Sequence, residues 1–473
     1  NGGSSSGSLN TYVLRDNLVE GSETAILTLG APTGASLGPD TVHTVTINDE
    51  PLSPPDAVDD ALTLTSLSAV TIPVLSNDTD ANGDTLKITA ISSPTAGTAV
   101  RFGQTIRYTP SGDFGATDSF TYTISDGRGG TDTATVTLNY QIPFTWIGSG
   151  GDTNWSTAGN WLGGVAPGVG NTVYFNNQCS AQCNPTFTAN ASVLGIRLNS
   201  SYTGTIAQNA AYTITTATGG WNQKAGTFTG AAANVTVGGN FVLTGGGFTA
   251  PSTTLAINSG NFTVSGPATF AANAGLLTFG CGYGMTCVIT PGSATYNNVT
   301  FAGFYAVYTL GGATMTIAGN LSMGDTYGPG YEGQPIDNGT LNVGGNVSII
   351  NRGNKGSAIV RLTGNASGQT VTGQTGLYMP GLTIDTGSNA VTLVGNLNVS
   401  SHYTYVSSGT FTVTGNTLGL WCAYGTTCNI TPGTVAYNNV AFSGHYTTIN
   451  LGGGTMTIDG NLSFGDTYGA GYT

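Results

Sequence analysis

Short runs of alternating apolar and polar residues, each opened by a Gly-Asn pair, fill the chain from residue 179 onward. They stand at Gly239-Asn240 (GGNFVL), Gly260-Asn261 (SGNFTV), Gly319-Asn320 (AGNLSM), Gly345-Asn346 (GGNVSI), Gly364-Asn365 (TGNASG), Gly395-Asn396 (VGNLNV) and Gly460-Asn461 (DGNLSF). Alternation with period two turns one face of a strand inward and the other outward. Neighbouring pairs lie mostly about 20 to 30 residues apart, or a multiple of that, which is the size of one β-helix coil. Gly and Asn tolerate a left-handed backbone, so each pair is predicted to mark a corner.

Part of this stretch is written twice. Residues 281–331 recur at 422–472, a period of 141 without insertion, and about two-thirds of the positions are identical. CGYGMTC aligns with CAYGTTC, and GGATMTIAGNLSMGDTYGPGY with GGGTMTIDGNLSFGDTYGAGY. A segment that repeats its cysteines, its turn and its Tyr-rich loop in register is one structural unit built twice, as in a scaffold.

The front of the chain alternates differently. TAILTL and HTVTIND read as strands within residues 1–50, and PLSPP at 51–55 is a linker stiffened by proline. In residues 56–140, strand-sized alternating segments separated by Gly, Asp and Asn predict a sandwich of about seven strands. Residues 141–178 gather Trp146, Trp155 and Trp161 ahead of NTVYF. Such a cluster is either a sugar-stacking platform or a buried cap, and the cap is preferred because large aromatics are mostly packed inside. The predicted architecture is all-β, with one partial and one complete β-sandwich followed by a β-helix (solenoid). Its segments are residues 1–50, 51–140, the Trp-rich cap 141–178 and the solenoid 179–473.

Composition agrees. The 473 residues include 74 Gly, and only 7% are charged, which suits short strands and tight turns over helices. No apolar run is long enough to cross a membrane as a helix. The net charge of -13 sits at the front: residues 1–140 hold 16 acidic and 5 basic residues, and residues 141–473 hold 7 and 5. No basic patch is available for phosphates, so nucleic acid is not an expected partner. The six cysteines form three close pairs, Cys179 with Cys183, Cys281 with Cys287 and Cys422 with Cys428. Local disulfides in an oxidising compartment are preferred to a zinc site, which needs four converging ligands. The opening Gly/Ser run and the stop in mid-repeat read as an excerpt of a longer secreted polypeptide.

Three resemblances follow from these motifs. VEGSET and the closing TVTINDE resemble the C-terminal part of a Calx-beta module, a calcium-binding β-sandwich, and the resemblance implicates Glu20, Glu23, Asp49 and Glu50 in holding calcium. Residues 56–140, through VLSNDTDANGDTL and DSFTYTISDG, resemble the cadherin-like, immunoglobulin-like modules of giant bacterial adhesins. Residues 141–473, through TWIGSGGDTNWSTAGNW, GTFTGAAANVTVGGNF and TYNNVTFAG, resemble Gly/Thr/Asn-rich surface proteins of environmental bacteria.

Few residues are placed for chemistry. The run Asn77 to Asp84 alternates carboxylate and amide oxygens around Gly83, so Asp78, Asp80, Asn82 and Asp84 are candidate calcium ligands; the alternative is a solvated Asx turn. Catalysis is not expected. Residues 141–473 offer only Asp152, Asp325, Glu332, Asp337, Asp385, Asp459 and Asp466, and His43, His402 and His445 are isolated. Asn261, Asn320, Asn346, Asn365 and Asn461 also stand in glycosylation sequons, though the turn and strand roles of the same residues suffice to explain them. Thr-x-Thr rows raise ice binding, against which the irregular intervals between corners argue. The functional expectation is an extracellular, cell-surface structural protein that self-associates into a filament, sheath or adhesive stalk. The alternative is an adhesin binding a glycan or surface ligand through Tyr327, Tyr331, Tyr468 and Tyr472; a carbohydrate-active β-helix ranks third.

Overall fold

A computed structural model describes residues 10, 12, 21–31, 33, 34, 36–48, 52–303, 305–324, 335–350, 356–364, 368–406, 409–413, 415–422, 427–444 and 447–465. Among them the chain is all-β, with two short 3-10 turns, Val74–Ser76 and Ala158–Asn160, and no α-helix. It divides into two compact units, Asn1–Gly112 with Thr117–Tyr140, and Asp113–Ala116 with Gln141–Thr473.

In the first unit, β1 (Glu23–Thr28) and β2 (Val42–Ile47) form an antiparallel ribbon in the register Glu23 to Ile47. No residue of either strand is buried, and Ile26 and Val42 are 64% and 55% exposed. Seven further strands build a sandwich: β3 (Asp60–Leu64), β4 (Val70–Ile72), β5 (Lys87–Ile91), β6 (Gly97–Phe102), β7 (Thr105–Pro110), β8 (Thr117–Ser125) and β9 (Thr131–Tyr140). One sheet runs β3-β9-β8-β5 and the other β4-β7-β6. Strict alternation fills the space between them. Phe120, Tyr122 and Ile124 of β8 and Ala134, Val136, Leu138 and Tyr140 of β9 are buried, while the threonines between them stay on the outer face.

The second unit is a β-solenoid of about 12 turns. Its strands pair in parallel, coil on coil, over the whole stack. One coil supplies Val235–Val237, Phe241–Leu243 and Gly247–Thr249, which pair with Thr254–Ile257, Phe262–Val264 and Thr269–Ala271 of the next. Inward positions stack on like positions. Phe228, Phe248, Phe270 and Tyr296 form a column with centroid separations of 4.7, 5.6 and 5.2 Å, and Phe241 lies on Phe262 at 5.1 Å. Trp146, Trp155 and Trp161 are 0%, 3% and 1% exposed and pack edge to face with one another, so they belong to the core. Three disulfides, Cys179–Cys183, Cys281–Cys287 and Cys422–Cys428, close short loops with Cα separations of 5.5, 6.1 and 5.9 Å.

The Gly-Asn corners work differently from the expectation. Gly260, Gly364 and Gly395 do take positive φ (103°, 66° and 79°), but Gly239, Gly319, Gly345 and Gly460 do not. At these four, a Cβ would collide with the neighbouring coil, at Thr218 O, Asn298 Oδ1, Gly319 O and Asn438 O respectively. Glycine is there because adjacent coils approach too closely for a side chain. The described asparagines of the pairs are not left-handed either. They form a ladder: Asn298 Oδ1 accepts from Asn320 N–H (2.9 Å), Asn320 Oδ1 from Asn346 N–H (2.8 Å), and Asn346 Oδ1 from Thr370 N–H (2.9 Å). The same bond joins Asn240 to Asn261 and Asn439 to Asn461 at 2.8 and 2.9 Å. Each ladder bond satisfies a corner amide that the strand hydrogen bonds do not reach.

Two substitutions measure these contributions in urea unfolding of the whole chain. Phe248→Ala opens a cavity in the aromatic column and is expected to lower solenoid stability by about 3–5 kcal/mol. Asn320→Ala removes one ladder bond and is expected to cost about 1–2 kcal/mol, since the Asn346 amide then lacks its acceptor.

Candidate functional site

The acidic loop of the sandwich turns sharply at Gly83, whose φ is 75°. Its oxygens are largely engaged by the protein itself. Asp78 accepts from Val58 N–H at 2.8 Å and from the Tyr122 hydroxyl at 2.9 and 3.1 Å. Asp80 Oδ1 accepts from the amides of Asn82 (2.9 Å) and Asp84 (3.0 Å), and Asn82 Oδ1 accepts from Ser53 N–H (2.8 Å). Asp84 pairs with the Arg128 guanidinium at 3.1 Å. Around the loop, Asp60 Oδ2, Asn77 Oδ1 and Asp80 Oδ2 are buried without a hydrogen-bond partner. Yet among the described residues no group of three or more His, Cys, Asp or Glu side chains is placed to hold a metal ion. As placed, the four residues are not gathered into one ligand set: Asp84 is held by Arg128 and Asn82 Oδ1 by the Ser53 amide, while Asp80 accepts the loop amides on Oδ1 and keeps Oδ2 unengaged. Of the residues implicated by the Calx-beta resemblance, Glu23 lies exposed on β1, and Glu20, Asp49 and Glu50 fall outside the described residues.

A second polar cluster, invisible in the motif search, sits inside the sandwich. Asp118 is 4% exposed, and its carboxylate accepts from Tyr108 OH (2.6 Å), Thr95 N–H (2.9 Å), Thr95 Oγ1 (2.8 Å) and Ala96 N–H (3.0 Å). Tyr108 and Tyr140 share a further hydroxyl contact at 2.6 Å. Burial alone pushes the Asp118 carboxyl up, but the hydrogen bonds from Tyr108, Thr95 and Ala96 outweigh it and hold the group below the usual carboxylate range. Asp60 goes the other way. Burial raises it, the Tyr122 hydroxyl lowers it, and the neighbouring Asp78 charge raises it again, for a net rise.

In the second unit, three of the scattered carboxylates have structural partners. Asp152 Oδ1 accepts from Asn154 N–H and Asn160 Nδ2, each at 2.9 Å, within the Trp-rich segment. Asp337 accepts from Ser357 N–H at 2.8 Å, and Asp385 pairs with Arg361. Asp325, Glu332, Asp466, His445 and the four tyrosines of the GDTYG loops (Tyr327, Tyr331, Tyr468 and Tyr472) fall outside the described residues. A different aromatic pair is displayed. The Cys281–Cys287 loop carries Tyr283, 72% exposed, 5.4 Å from the ring of Tyr305, which is 38% exposed.

A seven-stranded sandwich ahead of a disulfide-bearing β-solenoid fits a surface or structural protein. Residues 48–139 match the family model of the Bacterial Ig domain, which coincides with the seven-stranded sandwich. The chain is also similar to Protein GAMETE EXPRESSED 2 of Arabidopsis thaliana, 38% identical over 82 residues. That match covers 17% of this chain and 9% of the plant protein. No solved structure matches the chain.

The Asp118 site sets a pH dependence. A carboxyl depressed in the folded state contributes stability that is present above its unfolded pKa of about 4 and is lost as pH falls through the lower folded value. Asp60, raised on folding, contributes with the opposite sign. Asp118→Asn is expected to cost about 1.5–3 kcal/mol near neutral pH, with the gap to wild type narrowing as pH falls below about 4, as read by chemical denaturation at each pH. Calorimetry with and without millimolar calcium tests the loop as a cation site: the sandwich transition is expected to rise with calcium, which would engage the buried oxygens of Asp60, Asn77 and Asp80 that have no partner, and an unchanged transition would remove the calcium assignment.

Proposed function

We propose that the chain works as part of an extracellular structural protein of a bacterial surface, contributing to a filament, sheath or adhesive stalk. A bacterial Ig-like domain combined with a β-solenoid fits a surface or structural protein. The observation that carries the self-association is the β1–β2 ribbon. Its two strands have no third partner among the described residues, one of its faces is exposed and the other, with Ala25, Leu27, Val45 and Ile47, is only half-buried. An isolated ribbon is marginal in water and gains by adding a strand from another chain. A contact of that kind between unlike surfaces propagates from copy to copy into a fibre.

Three local disulfides suit an oxidising compartment. No helix among the described residues is long and apolar enough to cross a membrane. A non-catalytic role is supported by the structural engagement of Asp152, Asp337 and Asp385. A second reading, glycan adhesion, draws on the braced and exposed Tyr283 and Tyr305, whose counterparts Tyr424 and Tyr446 recur one period later.

Sedimentation velocity over a wide concentration range, with electron microscopy of the concentrated sample, tests the first reading. The expected result is end-to-end oligomers that Ile26→Lys or Val42→Lys abolishes; monomers at every concentration would overturn it. A glycan array tests the second, with binding expected to be lost in Tyr283→Ala.

A further inference from the structure

The strand pairing lines up one set of outward residues through nine consecutive coils. Ser192, Thr215, Thr236, Ala256, Thr278, Thr300, Ser322, Ser348 and Thr372 are each paired directly with the next, so that all but Ala256 carry a hydroxyl at the same place. The residues on either side of the column, including Val235, Val237, Leu277, Phe279, Val299, Phe301, Leu321 and Met323, are buried, which fixes the column on the outer face. Two residues earlier runs a second file of Thr254, Leu276, Asn298, Asn320, Asn346 and Thr370, joined by strand pairing as far as Asn298 and by the asparagine ladder from there; Asn320 and Asn346 stand at the corner just ahead of their strands, and Leu276 is its one apolar member.

The first file repeats about every 4.8 Å along the stack, and where both files lie within strands, as at Thr254, Leu276, Asn298 and Thr370, they stand about 6.7 Å apart across it. The intervals between corners are irregular, but the extra residues are accommodated between the strands and leave the strands in register. Irregular corner intervals are therefore compatible with a regular outer face. The array is stiff. Thr has few χ1 choices, the ladder fixes the asparagine amides, and Ser322 Oγ lies 2.8 Å from Ser348 Oγ. Neither file contains a charged or an aromatic side chain.

A ligand that engages every row must itself repeat in two dimensions with hydrogen-bonding groups, which means a crystalline solid. Crystalline polysaccharide calls for aromatic faces on which sugar rings stack, and these files have none. A protein partner calls for aromatic or arginine anchors, which are equally missing. We propose that this face binds ice, with the aligned hydroxyl and amide groups and the methyl groups of threonine ordering water into the lattice spacing.

The full chain, fluorescently labelled, is tested for accumulation in a slowly grown ice hemisphere and for inhibition of ice recrystallisation. Thr300→Tyr and Ser322→Tyr place a ring in the middle of the array, and Thr316→Tyr places the same ring on another solenoid face, where Thr316 pairs with Thr295 and Asn342. Circular-dichroism melting confirms that each variant folds, and Thr300→Ala serves should the larger ring disturb packing. Wild type and Thr316→Tyr are expected to concentrate in ice, with a several-fold loss in the array variants. Exclusion of the wild-type chain from ice, or equal behaviour of array and control variants, would overturn the assignment.

Discussion

Coil-on-coil backbone pairing is the constraint from which the rest of the solenoid follows. Each coil hands its strand hydrogen bonds to the next in parallel register, and a parallel stack brings identical positions into contact along its length. Aromatic residues therefore fall on aromatic residues, as in the Phe228, Phe248, Phe270 and Tyr296 column. At the corners, where strand pairing lapses, asparagine side chains carry the hydrogen bonding from coil to coil. Glycine clears the space that this stacking demands at Gly319 and Gly345. Hydroxyls aligned on the outer face come from the same pairing that aligns the core.

The sandwich is held by another logic. Its sheets bury alternating apolar residues around one polar knot in which Tyr108 and Tyr140 meet beside a fully hydrogen-bonded Asp118. A buried carboxylate is tolerated because every bond it needs is met, and the satisfied network specifies one packing of the two sheets. Charge is concentrated in the first 140 residues, and at Asp80 and Asp84 it fixes loop geometry.

Much of the architecture was legible in the sequence because period-two alternation and short Gly-rich intervals admit few alternatives to strands. The three cysteine pairs and the burial of Trp146, Trp155 and Trp161 were legible for similar reasons: spacing limits the first, and packing of large apolar surface governs the second. The left-handed corner glycine holds at Gly260, Gly364 and Gly395 but not at Gly239, Gly319, Gly345 and Gly460, since local conformational preference says nothing about how near the next coil lies. For the run from Asp78 to Asp84, spacing shows which oxygens are available to a ligand but not that the Asp84 amide already engages Asp80 Oδ1 or that Arg128 holds Asp84. The hydroxyl files were hidden because successive members are separated by 20 to 26 residues, and only three-dimensional register reveals them as neighbours.

Paired spin labels on the solenoid face test the stacking most directly. Labels at Thr236 and Ser348, five pairings apart, are expected about 24 Å from each other, and labels at Ser192 and Thr372, eight pairings apart, about 38 Å, both with narrow distributions in pulsed dipolar spectroscopy. Broad distributions, or separations that do not grow in proportion to the number of pairings, would contradict a continuous parallel stack.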